Sequence, residues 1–418
     1  MQNTRIIIVG AGFAGLSAAR EISKKRISNS NVEIIILDRN NYHMFVPLLY
    51  HVASGGMDVN SICFATRPII RKWRSSNNIS FCQLDVTGID LENRLVNSGR
   101  TQFAFDYLLL APGSATNFYQ IPGTEENVLA LKSAEEAILI HNRIIKQFET
   151  IKLEESDPNL RRKLTFLIVG GGPTGVEICS TLSLFLYKTL VHDFPNLISQ
   201  ARLVLVEGSG ALLNGMPPQL GTLAQRRLEK MGVEIVFNFR VKGVNPTSIV
   251  SADGRSIETE NVIWVAGIKP NQLIENLNLP KSKDGRLIVD PYFQVPDHPG
   301  VYAVGDCAYL LQPGSSRPYP STAQSATKMG IACGTNITSK IEAKPCEKPF
   351  SYKHRNHIVF LGRNYAIGDF WGVTIGNFAA FVIYVSYHLV KLTGFKSKLT
   401  TTIDWLYDYF SARNTAEI

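Results

Sequence analysis

Two stretches decide the fold: Ile6-Ile7-Ile8-Val9-Gly10-Ala11-Gly12-Phe13-Ala14-Gly15 and Phe166-Leu167-Ile168-Val169-Gly170-Gly171-Gly172-Pro173-Thr174-Gly175. In each, four apolar residues run into a Gly-x-Gly-x-x-Gly segment, and a helix pattern follows. A second apolar run then ends in an acid. Ile34-Ile35-Ile36-Leu37 leads to Asp38, and Leu203-Val204-Leu205-Val206 leads to Glu207. Strand, glycine turn, helix, strand and terminal acid together make a dinucleotide-binding unit. The first glycine allows the tight turn, the second lets a pyrophosphate approach the backbone, and the third lets the helix pack on the strand. The phosphate meets free N–H groups and the positive end of a helix. The acid accepts hydrogen bonds from a ribose. One such segment is weak evidence, because glycine turns are common. Two complete copies, about a domain length apart, are strong evidence for two dinucleotide sites in one chain.

Composition sets the bounds around these units. At 418 residues the chain has room for two or three domains, and 45% apolar content supplies an ample core. The net charge of +8 admits nucleic acid, an anionic membrane face or acidic ligands. No Lys/Arg block is long enough for a nucleic-acid arm, so the reading is a membrane surface and nucleotide phosphates, with no nucleic acid. The chain enters a strand by Ile6, which leaves no room for a signal peptide. It is therefore expected on the cytoplasmic side. Cys63, Cys82, Cys179, Cys307, Cys333 and Cys346 show neither a C-x-x-C pair nor the spacing of a disulfide or zinc framework. Buried apolar roles are expected for most of them, and no metal site. The pattern argues against electron transfer through a cysteine pair.

Between and after the two units the pattern is mixed. Residues 41–75 read as loop-rich and 79–110 as short strands, ending in Tyr107-Leu108-Leu109-Leu110 and the sharp turn Ala111-Pro112-Gly113. Residues 133–148 read as a helix, with Ser133 and Glu136 spaced as a capping box. Residues 154–159 read as an exposed loop. The second unit, 163–207, holds an insertion near 184–200. A helix is expected over 219–231, ended by Gly232, then strands at 233–238, 249–252 and 260–265. Val301-Tyr302-Ala303-Val304-Gly305-Asp306 reads as a late strand closing on a glycine–acid pair, and 321–341 as a helix. Glu177 reads as a first-turn acid, favoured there by the helix dipole.

The tail differs in kind. The run 370–390 contains no charged residue, and within it Phe378, Phe381, Val382, Tyr384, Val385 and Leu389 recur near helical spacing. Gly372, Gly376 and Asn377 break its first third into strand and turn, so the helix starts near Phe378 and is too short to span a bilayer comfortably. Lys391, Lys396 and Lys398 follow, then a second helix pattern through Ile403, Leu406, Tyr407 and Phe410, with Trp405 beside it. An interfacial helix pair on an anionic bilayer surface fits this pattern. A homodimer interface or packing on the body is the alternative.

The combined motifs resemble the type II NADH:quinone oxidoreductases, the single-subunit NADH dehydrogenases that do not pump protons. The resemblance covers essentially the whole length. It rests on residues 9–16, His43-Met44-Phe45-Val46-Pro47-Leu48-Leu49-Tyr50, Gly170-Gly171-Gly172-Pro173-Thr174-Gly175-Val176-Glu177, Ala303-Val304-Gly305-Asp306, Ala323-Gln324-Ser325-Ala326 and Gly394-Phe395-Lys396. It implies an α/β fold with two Rossmann-like dinucleotide-binding domains and a C-terminal amphipathic, membrane-facing helical segment. The implied boundaries are 1–120 with 284–345 for FAD, 121–283 for NADH, and 346–418 for membrane association.

The resemblance also implies site residues. FAD would be held by Gly10, Gly12, Phe13, Ala14, Gly15, Asp38, Arg39, Pro47, Leu48, Ala111, Gly113, Gly305, Asp306 and Ala323. NADH would be held by Gly170, Gly172, Pro173, Thr174, Gly175, Glu207 and Gly267. Glu177 would face the flavin and nicotinamide, and Gln324 the headgroup of a membrane quinone. Two departures stand out. Lys328 replaces the glutamine that usually closes the Ala-Gln-x-Ala-x-Gln helix, and Pro112 replaces the usual threonine of an Ala-Thr-Gly turn. The implied enzyme is a peripheral protein on the cytoplasmic face of a membrane. The competing readings are a soluble reductase of an iron–sulfur protein, a sulfide:quinone oxidoreductase and a flavin redox sensor.

Overall fold

The computed structural model describes residues 3–24, 31–73, 78–152, 158–345, 349–353, 356–392, 395–410 and 413–417. Most of the loop expected at 154–159, as well as Cys346 and Gly394, lies outside these residues. The chain divides into two compact units. The first takes Met1–Met44, Cys63–Ala115 and Ile268–His354, and the second takes Phe45–Ile62, Thr116–Gly267 and Arg355–Ile418.

The first unit is built on a five-stranded sheet in the order Val301–Ala303, Tyr107–Leu110, Asn3–Val9, Asn31–Asp38, Asn78–Gln83. All neighbours are parallel. Ile6, Ile7 and Ile8 are fully buried in succession, as an unbroken apolar run requires of a strand covered on both faces. One cover is the helix Phe13–Lys24, packed on the helix Ala323–Ile341. These two helices meet backbone to backbone. A Cβ on Gly330 or Gly334 would run into the Ala14 or Ala18 carbonyl. Thr322 caps the second helix by accepting from Ser325 N at 3.2 Å.

The second unit repeats the plan. Its sheet runs Val128–Ala130, Asn261–Trp264, Thr165–Val169, Arg202–Val206, Val233–Val236, again all parallel. The helix Pro173–Leu184 follows its glycine turn. The capping box forms as expected at Ala134–Lys152: Ser133 N donates to Glu136 Oε2 at 2.9 Å, and Glu136 N donates to Ser133 Oγ at 3.2 Å. The helix Pro218–Lys230 ends at Gly232, whose φ is +84°. The insertion resolves as a π-helical turn at Phe185–Leu190 that extends the glycine helix, then two short helices.

The tail of this unit is an antiparallel meander, Asn356–Phe360, Ala366–Phe370 and Val373–Asn377, leading into the helix Phe378–Lys391. Asn377 caps that helix by accepting from Ala380 N at 3.1 Å, which is why it starts at Phe378. A second helix covers Phe395–Phe410. Residues 413–417 turn back into the unit. Arg413 is buried, and its Nη1 donates to Ser54 Oγ at 2.9 Å and Thr181 O at 2.7 Å. Among the described residues, no helix is long and apolar enough to cross a membrane.

Candidate functional site

Each sheet ends in a glycine turn of the same design. In the first unit Gly10 N donates to Leu37 O at 2.8 Å, and Ala11 N donates to Asp38 Oδ2 at 2.6 Å. In the second, Gly170 N donates to Val206 O at 2.9 Å, and Gly171 N donates to Glu207 Oε2 at 2.6 Å. Gly10 and Gly170 sit at φ +106° and +113°, where only glycine is unstrained. A Cβ on Gly15 would strike the Gly10 carbonyl, and one on Gly175 the Gly170 carbonyl. The middle glycines behave differently. A Cβ on Gly12 or Gly172 would meet no described atom within 4 Å.

That open space is the fit test for two dinucleotides. The backbone is bare where a pyrophosphate must approach, and neither helix has an acid in its first turn to neutralise its positive end. Asp38 also takes Asn40 N on Oδ1 at 2.8 Å, and Glu207 takes Ser209 N and Oγ on Oε1 at 2.8 and 2.6 Å. A carboxylate has about four lone-pair sites, so both acids keep capacity for a ribose hydroxyl. Burial pushes the Asp38 carboxyl up from its usual range, against the pull of the Ala11 and Asn40 hydrogen bonds.

The first unit gathers most of the residues expected at the flavin. Ala111 closes over Gly10, whose Cβ would collide with the Ala111 carbonyl, and Gly113 turns at φ +74°. Gly305, at φ +76°, brings its loop against Ala14 and Ala326. Asp306 accepts from Ser114 Oγ at 2.6 Å. Ala323, Gln324 and Lys328 follow on the helix Ala323–Ile341, with Lys328 exposed. Phe13 packs edge-on against His43 at 4.8 Å, and burial pushes that imidazole down to about 4. Arg39 is exposed, and its charge favours ionised Asp38.

The second unit holds the rest. Residues 265–267 run beside Gly170, which has Ala266 Cα where its own Cβ would be. Gly267 turns at φ +107° against Tyr119. Pro47 and Leu48 form a short 3-10 turn that leads into the helix Leu49–Ala53, which packs on Pro173–Leu184.

Glu177 corrects the first-turn reading. It is the fifth residue of Pro173–Leu184, past the turn where the dipole favours an anion. The residue is partly exposed, but its carboxyl is enclosed by protein. Burial pushes that carboxyl up to about 8, opposed by one hydrogen bond from Phe360 N at 3.3 Å. Tyr50 and Tyr384, which hydrogen-bond to each other through their hydroxyls, lie within reach of its charge. Sequence reasoning did not single them out as a pair. Tyr50 stood inside a quoted motif and Tyr384 on the apolar stripe, and nothing in the sequence joined positions 334 residues apart.

Residues 4–330 match the model of the pyridine nucleotide-disulphide oxidoreductase family. Two proteins of Mycobacterium tuberculosis are similar along nearly the whole chain. Its type II NADH:quinone oxidoreductase Ndh is 33% identical, covering 98% of this chain and 89% of that protein. Its NdhA is 30% identical, covering 96% and 86%. The chain belongs to the type II NADH:quinone oxidoreductases. The fold agrees: the structure of NDH2 from Plasmodium falciparum in complex with NADH superposes with a TM-score of 0.89 over 99% of this chain and 100% of that one, at 19% identity. Despite the disulphide in the name of the wider family, none of the five described cysteines of this type II enzyme is in a disulfide. Cys179, Cys307 and Cys333 are buried, and burial pushes the Cys307 thiol up to about 12.

Proposed function

We propose the following division of labour within this enzyme. The enzyme passes hydride from NADH to FAD and two electrons onward to a quinone, without proton pumping. The first glycine turn holds FAD, with the pyrophosphate at Gly12, the ribose on Asp38, and Asp306, Ala111, Gly113 and Ala323 around the remainder. Arg39 completes that set. The second turn holds NADH, with the pyrophosphate at Gly172 and the ribose on Glu207. The proposed domain limits are 1–120 and 284–345 for FAD, 121–283 for NADH and 346–418 for membrane association; the compact units divide instead at 115/116, 267/268 and 354/355, with 45–62 in the second. The single observation that carries this reading is the repeated turn whose middle glycine faces open space.

When bound, FAD supplies the chemistry of hydride acceptance and two-electron delivery. The protein's own part is to bind, orient and manage charge. Glu177 is neutral at pH 7 because burial raises its carboxyl, so it stores a proton and adds no negative charge beside the reacting rings. Gln324 and Lys328, one helical turn apart, serve the quinone headgroup.

The tail supports a lipid-facing role. Ala380, Tyr384 and His388 form the buried stripe of Phe378–Lys391, while Phe378, Val382, Ile383, Tyr387 and Val390 are exposed. Leu399, Ile403 and Leu406 are exposed on the next helix, and Trp371 at the meander tip is 75% exposed. Apolar surface of this extent marks a membrane or protein contact. With Lys391 and Lys398 at its edge, it fits the anionic cytoplasmic face of a membrane, and a homodimer contact is the second reading.

The test is steady-state NADH oxidation by the FAD-loaded enzyme with ferricyanide, a short-chain quinone and a long-tailed quinone in anionic vesicles. The expected result is quinone turnover in both settings. A colourless protein that takes up no FAD, or turnover with ferricyanide alone, overturns the reading.

A further inference from the structure

The helix Pro173–Leu184 has the glycine turn at one end. At its other end, roughly 17 Å away at 1.5 Å per residue, lies a cavity of about 420 Å³. Four of its nine lining residues are cationic: Lys188, Arg227, Lys230 and Arg363. None of the described residues that line it is acidic. Glu229, beside Lys230 in sequence, accepts from Gln225 Nε2 at 2.8 Å, and Glu234 accepts from Arg202 Nη2 at 2.6 Å.

The cations come from three separate elements. Arg227 and Lys230 stand in the last turn of Pro218–Lys230, where the helix dipole favours positive charge. That explanation does not reach Lys188, on the π-helical turn Phe185–Leu190, or Arg363, on the turn at 361–365 between two meander strands. π-Turns inside α-helices are rare and concentrate at functional sites. This one places Tyr187 and Lys188 on the cavity wall.

The walls are also fitted closely. Gly232 has no room for a larger residue without moving Tyr187, whose ring would lie 3.2 Å from its Cβ, and Gly362 is closed off by the Met231 side chain. Arg227 is oriented before any ligand arrives. Its Nε donates to Leu361 O at 3.2 Å, and its guanidinium lies 4.6 Å over the Tyr365 ring.

We propose that this cavity binds a phosphate ester. Four cations, three of them exposed, and no acid among the described lining residues favour an anion there, and a phosphate carries enough charge and acceptor oxygens to engage several of them. The groove has room for an organic group beside the phosphate. Tyr187, Leu184 and Met231 give that group an apolar wall. The source is either a soluble ester or the headgroup of an anionic lipid.

The experiment uses the FAD-loaded full chain. Phenyl phosphate, which has neither adenine nor nicotinamide, is titrated calorimetrically in one arm. In the other, co-sedimentation is measured with phosphatidylglycerol vesicles against neutral phosphatidylcholine vesicles. The variant is Lys188→Glu with Arg363→Glu, and the charge-matched control is Lys72→Glu with Arg100→Glu, both exposed and outside the cavity. FAD content and NADH reduction of the flavin check the fold, and Lys188→Gln substitutes if the double variant takes up no FAD. At least tenfold weaker phenyl phosphate binding in the variant but not in the control supports a soluble ester. Loss confined to phosphatidylglycerol vesicles, again absent from the control, supports a lipid headgroup. If wild type, variant and control behave alike in both arms, the cavity is not a phosphate site.

Discussion

The two glycine turns solve one problem with different side chains. Both hold the strand-end acid 2.6 Å from the N–H after the first glycine, although glutamate is one methylene longer than aspartate. The extra length is absorbed at the position before the middle glycine. The first turn has Ala11 there. The second has Gly171, whose Cβ would lie 2.9 Å from Glu207 Oε2 and 2.7 Å from Leu212 Cδ2. A longer acid thus goes with a smaller neighbour. Further along the helices Ser17 corresponds to Glu177, so only the second turn is followed by an enclosed carboxyl. Backbone geometry is held constant, and the local chemistry is varied around it.

The largest expected effect comes from filling the open space. Gly12→Val should yield protein without FAD. Gly172→Val should keep FAD and raise the KM for NADH by tens to a hundredfold, since a hydrogen bond to a charged group contributes ~1.5–3 kcal/mol. Flavin absorbance and steady-state kinetics read the two outcomes. If both variants lose flavin, the assignment of one turn to each cofactor is wrong.

Next in size is the acid of the second turn. With the ribose on Glu207 as proposed, the extra phosphate of NADPH would meet that carboxylate, and Gly208-Ser209-Gly210 supplies no arginine to receive it. Glu207→Gln should narrow the preference for NADH over NADPH by tens of fold, by the same ~1.5–3 kcal/mol. Gly171→Ala, which displaces that carboxylate, should act in the same direction and less strongly, while Ala11→Gly leaves FAD content unchanged. Equal use of both cofactors by the wild type would remove Glu207 from the ribose.

These variants test what was legible in the sequence. The strands, both turns, the capping box and the Phe378 helix start were readable because each follows from local chemistry: apolar runs, glycine spacing, and Ser or Asn caps. The pairing of Gly171 with Leu212 was not, since it depends on where a distant loop packs. The Tyr50–Tyr384 contact and the return of Arg413 to Ser54 and Thr181 also join distant positions. Glu177 lies just past the first turn of its helix, so burial rather than the helix dipole governs its carboxyl.

Glu177 gives a smaller effect with a defined sign. Its folded value of about 8 lies above the ordinary 4.5. Between those values the folded state holds the proton and the unfolded state does not, so stability falls as pH rises through that window. Glu177→Gln removes the slope. Its melting temperature relative to wild type should therefore rise from pH 5 to pH 8.5. A constant offset between the two proteins across that range would mean that the carboxyl titrates normally. Ser17→Ala, at the matching place in the first turn, should show only such a constant offset.

The smallest effect is expected at Lys328. It follows Gln324 by four residues on Ala323–Ile341, so both occupy one face of the helix. It is exposed, and its ammonium is solvated before a quinone arrives. A pre-organised cation helps where negative charge develops on an oxygen, and an exposed one helps less because water screens it. Lys328→Gln keeps the helix and a polar tip while removing the charge. The expected change is a severalfold shift in kcat/KM for the quinone. The rate at which NADH reduces the flavin in a stopped-flow half-reaction should stay constant, because the proposal assigns NADH to the second turn. A change in the half-reaction instead would tie this helix to hydride transfer and break the separation between the two turns. Unchanged kinetics in both assays would place Lys328 outside the acceptor site, leaving Gln324 without a charged neighbour on its own helix face.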